Sequence, residues 1–452
     1  MRVDAAARRR CATSTVRVLA MMTGAPAYTA RERLAALAYA QVNPQEVVRL
    51  ASAVEDDIHG AGDGDDAVDE RQQRVLSDIL RVLCARGGKP YASRVCRAAF
   101  KAVERCENWE RATDALADVM AEASDVDAHD IDSDAEGWRT KVYLYRALDV
   151  SREVVIAHRE GDARRRLACD LDAVEARVQM NALAGSTGAF AWSAGFVMSE
   201  FAMSCPECVR DRRVIELGSG AGVCGAVLAR LRPRALVLTD RDESTLENLA
   251  SNVRANADGV NDANVPSRAY DVTFDAIEAP VVDDVSRVSI RALDWGRMSA
   301  RDARALSPDV VLAADCAYDP DLIPSLVHAI RTLLDHSGRD TSTDCGSFTT
   351  SLWSVDDARA FFLDDAPQRR QRRSSPCAIV VSAVRQPKTM DVLINALVHD
   401  GALHVRDITS AFARLPIRFA HGDAERAHAL DDCRAFLCTT AMVHDGVDDE
   451  HT

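Results

Sequence analysis

Three glycines set in alternation, Gly218, Gly220 and Gly222, follow an apolar run that ends at Leu217 in the stretch VIELGSGAGVCG. A chain of this kind turns sharply from a strand into a helix, and the missing side chains let the backbone come close to a ligand. Asp240 ends the next apolar run, ALVLTD, about 20 residues on, where a carboxylate accepts hydrogen bonds from two ribose hydroxyls. Two ligand classes fit. GAGVCG satisfies the G-x-G-x-x-G pattern of a dinucleotide site, with a pyrophosphate at the helix N-terminus. ELGSGAG instead sets the carboxylate of Glu216 at the loop, which suits a ligand carrying an ammonium and a sulfonium, such as S-adenosylmethionine (SAM). A glycine turn in a cofactor-free α/β protein is the third reading.

Three further stretches fall where the same crevice would be lined, at the carboxyl ends of strands. TGAFAWSAG places Thr187, Gly188 and Trp192 before an apolar helix, LDWG places Asp294 and Trp295, and AADCAYD places Ala314, Asp315 and Tyr318. Each has a plainer role available: a Trp often packs in a core, Asp315 can cap the next helix, and Tyr318 can pack. Their convergence on one sheet edge favours the cofactor reading. A dehydrogenase requires none of them, and no second constellation for hydride transfer is visible.

The elements that must position these residues are legible in the hydrophobic pattern. From Ala184 onward apolar strands alternate with helical patterns: RVIELG, a helix from about Val223 to Leu231, ALVLTD, a helix from Ser244 to Asn256, VSIRALDW, DVVLAAD, a helix from Leu322 to Leu334, and AIVVSAV. That order predicts an α/β, Rossmann-like, doubly wound parallel sheet covered by helices. Residues 16–125 read instead as a small helical domain of four or five helices, because TARERLAALAYAQV, QRVLSDILRVLCARG and the long run from Ser93 place apolar residues three and four apart. Residues 126–183 form a linker with KVYLYRAL and REVVIAHRE as a hairpin. The catalytic domain is placed at 184–445, with polar insertions at 261–285 and 335–376 expected to be surface loops. Residues 1–15 and 446–452 are expected to be flexible ends.

Global composition narrows the class. A net charge of −15 argues against a general nucleic-acid binder. Two acidic runs, Glu55–Glu70 and Glu122–Gly137, read as solvated loops, and the basic cluster Arg369–Arg373 as a solvated face. The 13 cysteines follow no repeating spacing, so reduced thiols and a cytoplasmic protein are expected. Cys205 and Cys208 form a lone C-x-x-C at a helix end, and no metal is expected there. No apolar run approaches the roughly 18 residues of a membrane span. The opening segment is Arg-rich like a transit peptide, but Asp4 is out of place in one. Nothing demands a dimer, so a monomer is expected.

In the order T-G-x-x-x-W, E-L-G-S-G-x-G, L-D-W and D-x-x-Y, the chain resembles the seven-β-strand, class I SAM-dependent protein-lysine methyltransferases. IELGSGAG, RPRALVLTD, LDW and PDVVLAADCAYDPDLI are most similar to the enzymes that methylate a lysine of eukaryotic elongation factor 2. The helical stretch from Leu76 to Met120 resembles the N-terminal domain of those enzymes, and the likeness covers about two thirds of the chain. The resemblance implies a seven-stranded sheet and SAM as cofactor. It implies Gly218, Ser219 and Gly220 at the methionine part, Asp240 at the ribose, Asp294 and Trp295 at the adenine, and Trp192 and Ala314 lining the pocket, beside Glu216 and Gly222, which the loop itself offers as cofactor-binding residues. Asp315 and Tyr318 would stand at the mouth where the lysine enters, attracting and orienting its ammonium. Cys316 and Ala317 replace a bulkier apolar pair, and both insertions are foreign to the family. The expected partner is therefore a protein, elongation factor 2. Another protein, a small amine, or a SAM-binding interaction protein without catalysis remain the alternatives.

Overall fold

The computed structural model describes residues 30–40, 44–51, 66–84, 89–103, 114–124, 137–145, 172–179, 187–257, 271–284, 287–335, 347–350, 352–364, 376–400, 403–412, 415–420 and 433–440. The Arg-rich opening, most of both acidic runs, Arg369–Arg373 and the polar tail lie outside them. The chain divides into two compact units, one of Met1–Phe190, Asp258–Ser267 and Pro416–Ala427, the other of Ala191–Ala257, Arg268–Leu415 and His428–Thr452.

The first unit holds five helices among the described residues: α1 (Ala30–Tyr39), α2 (Pro44–Ala51), α3 (Asp66–Cys84), α4 (Lys89–Val103) and α5 (Asp114–Ser124). In α3 the buried residues include Leu76, Ile79, Leu80 and Leu83, one stripe at helical spacing; in α4 they include Tyr91, Val95, Cys96 and Ala99. Helix α1 is buried continuously from Leu34 to Tyr39 and so lies inside the bundle. Burial pushes the Cys96 thiol up to about 12. The acidic run expected to be a loop ends within α3, whose first residue is Asp66.

One arm of the expected hairpin is seen, with a partner other than the expected one. KVYLYRAL begins within β1 (Trp138–Tyr145), but the partner of β1 is β2 (Asp172–Gln179), antiparallel from Trp138↔Gln179 to Tyr145↔Asp172. Arg152–Glu160 lies outside the described residues. In DAVEARVQ the buried Val174, Ala176 and Val178 alternate with polar neighbours, the period-2 pattern of a strand with one covered face.

The second unit is a nine-stranded sheet. Its elements are α6 (Ser193–Ser204), β3 (Arg213–Leu217), α7 (Val223–Arg230), β4 (Ala235–Asp240), α8 (Glu243–Ala257), β5 (Asp271–Phe274), β6 (Arg287–Ala292), α9 (Ala300–Leu306), β7 (Val310–Ala314) and α10 (Ile323–Leu334). They continue with β8 (Ser347–Thr350), α11 (Val355–Asp364), β9 (Cys377–Ala383), α12 (Pro387–Asn395), β10 (His404–Asp407), α13 (Thr409–Phe412) and β11 (Cys433–Thr439). The strand order is β5-β6-β4-β3-β7-β9-β11-β10-β8. Only β11 runs antiparallel to its neighbours, β9 and β10. The central strands β3, β4, β7 and β9 are buried along almost their whole length, as a sheet covered on both faces requires.

The two segments expected to be surface loops each supply an edge strand, a second correction. Strand β5 comes from 261–285 and pairs in parallel with β6, while β8 comes from 335–376 and pairs in parallel with β10. Between these edges stand the seven strands the resemblance implies. The second insertion also supplies α11, which is tied down by Arg359: its Nε and Nη2 donate to the Ser204 carbonyl at the C-terminal end of α6, at 3.0 and 2.6 Å. Arg212 does the same from the other side, donating to the Phe362 carbonyl at 2.7 Å.

Candidate functional site

The glycine turn leaves β3 with Gly218, Gly220 and Gly222 all at positive φ, +63°, +52° and +77°. Only glycine adopts these values without penalty. At Gly218 space demands it too: a Cβ there would stand 2.8 Å from Cys316 Sγ and 3.2 Å from the Trp295 ring. The turn is pinned from below. Ser219 N–H donates to the Thr239 carbonyl at 2.8 Å, Gly222 N–H to the Ser219 carbonyl at 2.9 Å, and the Asn252 amide to the Ala221 carbonyl at 2.8 Å. Gly220 N–H donates to Asp240 Oδ2 at 3.0 Å, and Arg241 N–H to Asp240 Oδ1 at 2.7 Å. Asp240 thus closes the loop it faces, while burial pushes its carboxyl above the usual range.

Glu216 lies beneath this turn, buried, with its Oε2 3.3 Å from where a Gly225 Cβ would be. Burial pushes its carboxyl up to about 7, against the pull of the nearby Cys224 thiol and Ser219 hydroxyl, and the Asp240 charge adds to the rise. Glu216 Oε2 and Ser219 Oγ are both buried and neither has a partner in ordinary hydrogen-bond geometry, although the Ser219 hydroxyl and Cys224 thiol stand close enough to lower the Glu216 carboxyl. A buried polar atom left in that state costs about 1–3 kcal/mol. Nine buried atoms among the described residues are in that state, and two of them stand at this one glycine turn, where a polar ligand could bond them.

The neighbouring strand ends bring the other predicted residues to the same edge of the sheet. Asp294 follows β6, and its Oδ1 accepts the Gly296 N–H at 3.1 Å, starting a short 3-10 turn through Trp295. Arg241, after β4, approaches Asp294 Oδ2 at 4.0 Å across the solvent side. The Trp295 ring lies on Gly218 and Cys316, whose thiol donates to the Leu217 carbonyl at 3.1 Å. Ala314 ends β7 beside Val381 of β9. Tyr318 is 45% exposed beyond it. Trp192 is the residue before α6.

Asp315, expected beside Tyr318, differs from it in exposure. It is buried, in a left-handed conformation with φ +55°, and both oxygens are engaged. Oδ1 accepts the Ala383 N–H at 3.0 Å and Arg385 Nη1 at 3.1 Å; Oδ2 accepts the Ala194 N–H and Arg385 Nη2, both at 3.1 Å. The Arg385 guanidinium also lies 4.8 Å from the centroid of the Trp192 ring. Sequence reading missed Arg385, although it stands two residues past β9, where the strand-end rule that picked out the other residues also applies. Cys205 and Cys208 are both buried at the end of α6, with hydrogen bonding between them as the main cause that pushes the Cys208 thiol up. Among the described residues no group of three or more His, Cys, Asp or Glu is placed to hold a metal ion.

With this geometry in view, the comparisons with known proteins can be placed on it. A lysine methyltransferase family model matches residues 171–273 and 270–343, a span that holds the glycine turn, Asp240, Trp295 and Asp315. The human protein-lysine N-methyltransferase EEF2KMT is 36% identical over 150 residues, which is 33% of this chain and 41% of that protein. The bovine EEF2KMT is 37% identical over 152 residues, covering 33% and 43%. The protein-lysine N-methyltransferase EFM3 of Chaetomium thermophilum is 26% identical over 254 residues, 54% of this chain and 64% of that one. The chain thus spans less than two thirds of the length of these curated relatives. Residues 171–343 thus match the lysine methyltransferase family model, and the chain resembles the EEF2KMT proteins.

Proposed function

We propose that the chain is a SAM-dependent protein-lysine N-methyltransferase whose substrate is elongation factor 2. The observation that carries the reading is the glycine turn with two orphaned buried polar atoms, Glu216 Oε2 and Ser219 Oγ, inside the segment that matches lysine methyltransferases. The residues present fit SAM. Glu216 and Ser219 offer acceptors to the methionine ammonium, and Gly218, Gly220 and Gly222 give backbone access to it. Asp240 serves the ribose, Asp294 and Trp295 the adenine, and Trp192 with Ala314 the pocket wall. A pyrophosphate fits less well, because the Glu216 carboxylate would repel it. The relatives' printed names favour elongation factor 2 as substrate, and the helical first unit is assigned to holding so large a partner. No basic surface for nucleic acid is called for, and no described helix is long and apolar enough to cross a membrane; we infer a cytoplasmic, monomeric enzyme.

The bound cofactor would supply an electrophilic methyl group, whose carbon the neutral substrate amine would attack in line as the methyl–sulfur bond breaks and the sulfonium leaves as a neutral thioether. The protein's part is alignment and exclusion of water. A lysine of ordinary pKa is neutral only about once in 2500 molecules at pH 7, and only the neutral amine attacks. A confined approach past Tyr318 lowers that pKa, because burial and a like charge both disfavour the ammonium. The Tyr318 hydroxyl is assigned to orienting the amine, and no dedicated general base is needed. The test is to incubate the protein with labelled SAM and elongation factor 2 from the same source, beside Gly218→Val, and to locate label by mass spectrometry. Label on one lysine, lost in the variant, is the expected result. Binding of SAM without transfer would overturn the substrate, and absence of binding would overturn the reaction.

A further inference from the structure

The four N–H groups on Asp315 count against a direct role for it. A carboxylate has about four lone-pair positions, and the backbone of Ala194, the backbone of Ala383 and the two Arg385 nitrogens take all four at 3.0–3.1 Å. No acceptor position is left for an incoming ammonium, and the residue is buried. These donors come from three places in the chain: the first turn of α6, the end of β9, and the connection from β9 to α12. The positive φ of Asp315 is affordable for an Asp only when surrounding bonds fix it.

Arg385 is the member of this cluster that reaches outward. Its side chain is 40% exposed against 2% for Asp315. Its two terminal nitrogens grip the two carboxylate oxygens as a fork, a geometry a lysine cannot reproduce. Its Cζ at 4.8 Å from the Trp192 centroid is within cation–π range. One guanidinium therefore connects the strand-end carboxylate to the indole before α6.

We propose that Arg385 is a positioning residue that sets the Trp192 wall of the cofactor pocket, and that Asp315 serves as its anchor instead of holding the substrate amine. That Trp192 lines a cofactor pocket, and which ligand the pocket takes, rest on the methyltransferase reading; the contact of Arg385 with Asp315 and Trp192 does not. Arg385→Gln, Asp315→Asn and the double variant should each weaken S-adenosylhomocysteine binding by about tenfold, the lower end of what a charge-assisted pair supplies, with the double no worse than either single. Turnover at saturating SAM and its pH profile should stay near wild type, since the loss is in KM. Trp192 should report the same change without any ligand: the indole emission shift caused by Arg385→Gln should vanish in a Trp192→Phe background. Added guanidinium ion, far below denaturing concentrations, should restore Arg385→Ala and leave Arg385→Gln unchanged. Additive losses, or an Asp315→Asn variant with lowered kcat and an altered pH profile, would overturn the proposal, and so would unchanged emission in Arg385→Gln. If Asp315→Asn fails to fold, the Arg385 variants and the guanidinium rescue decide alone. If the wild type does not bind S-adenosylhomocysteine, the methyltransferase reading fails, while the emission comparison still decides whether Arg385 positions Trp192.

Discussion

Replacing Glu216 by Gln should abolish the pH dependence of cofactor binding. The Glu216 carboxyl is raised from its ordinary 4.5 to about 7, mainly by burial. In the free protein at pH 6 it therefore holds its proton, whereas a cationic ammonium beside it favours the ionised form. Binding then releases a proton, and affinity falls as pH drops below 7. With a carboxyl at about 7, the ionised fraction is about 3% at pH 5.5 and about 75% at pH 7.5. The ligand's own α-amino group, near 7.7–8.0, has begun to lose charge by then. The net rise in affinity for S-adenosylhomocysteine over that interval is about 20-fold. Calorimetry at pH 6 in two buffers of different ionisation enthalpy should show nearly one proton released per ligand. Methylthioadenosine, which lacks the amino acid part, should show neither effect.

Stability supplies the second half of this test. A carboxyl raised on folding contributes stability that is fully present below pH 4.5 and is lost as pH rises through 7. The gap between the two values is worth about 3 kcal/mol. Glu216→Gln should therefore be more stable than wild type at pH 8 and little changed at pH 4.5, in denaturant titrations at both pH values. Asp240→Asn removes the charge that helps raise Glu216, so it should shift the binding profile to lower pH without flattening it. A wild-type profile that is flat from pH 5.5 to 7, or an equal slope in Glu216→Gln, would refute the placement of the ammonium at Glu216.

Three further outcomes follow from the packing. Gly218→Ala puts a methyl group against Cys316 Sγ and the Trp295 ring at φ +63°; it should cost about 1–3 kcal/mol and remove the thermal shift given by S-adenosylhomocysteine. Ile79→Ala opens a cavity in the helical unit and should lower its stability by about 2–5 kcal/mol in urea. Cofactor binding should persist at low denaturant, since every predicted cofactor residue is in the second unit. Arg359→Ala removes two donors from the Ser204 carbonyl; it should cost about 1–3 kcal/mol and speed proteolytic cleavage near α11.

The central strands could be read from sequence because each is buried on both faces and so is written as an unbroken apolar run, as in VVLAA of β7 or CAIVVSA of β9. Strands β5 and β8 carry no such signal. DVTF and SFTT are four residues each at the sheet's edges, with one neighbour apiece, and Phe274 and Phe348 remain exposed there. Long polar stretches hid them, since a short edge strand takes its identity from the strand it pairs with. The four-residue HVRD of β10 carries no apolar run either, although it lies between β11 and β8. The site residues were legible wherever a motif is local, as at Gly218 to Gly222. The neighbourhood of Asp315 was not, because its partners Ala194 and Arg385 lie 121 and 70 residues away, and no spacing rule links them.

The distribution of strain points to the same edge without help from any resemblance. Among the described residues, four that are not glycine have positive φ: Asp211, Arg232, Ser307 and Asp315. Three of them precede strands; Ser307 is the left-handed cap of α9, and Asp211 donates its N–H to the Arg232 carbonyl at 3.1 Å. Turns at helix ends explain such values in ordinary ways. Asp315 is different, since it follows a strand and is held there by four donors. At that same end of the sheet lie the three left-handed glycines, the unbonded Glu216 Oε2 and Ser219 Oγ, and two carboxyls raised by burial. Each of these features lowers the stability of the folded chain taken alone. Their concentration at the carboxyl ends of β3, β4 and β7 is what a site shaped for a ligand predicts, because the ligand restores the missing bonds. On that argument, saturating S-adenosylhomocysteine should stabilise wild type more than Glu216→Gln, by a margin that grows between pH 6 and pH 7.5.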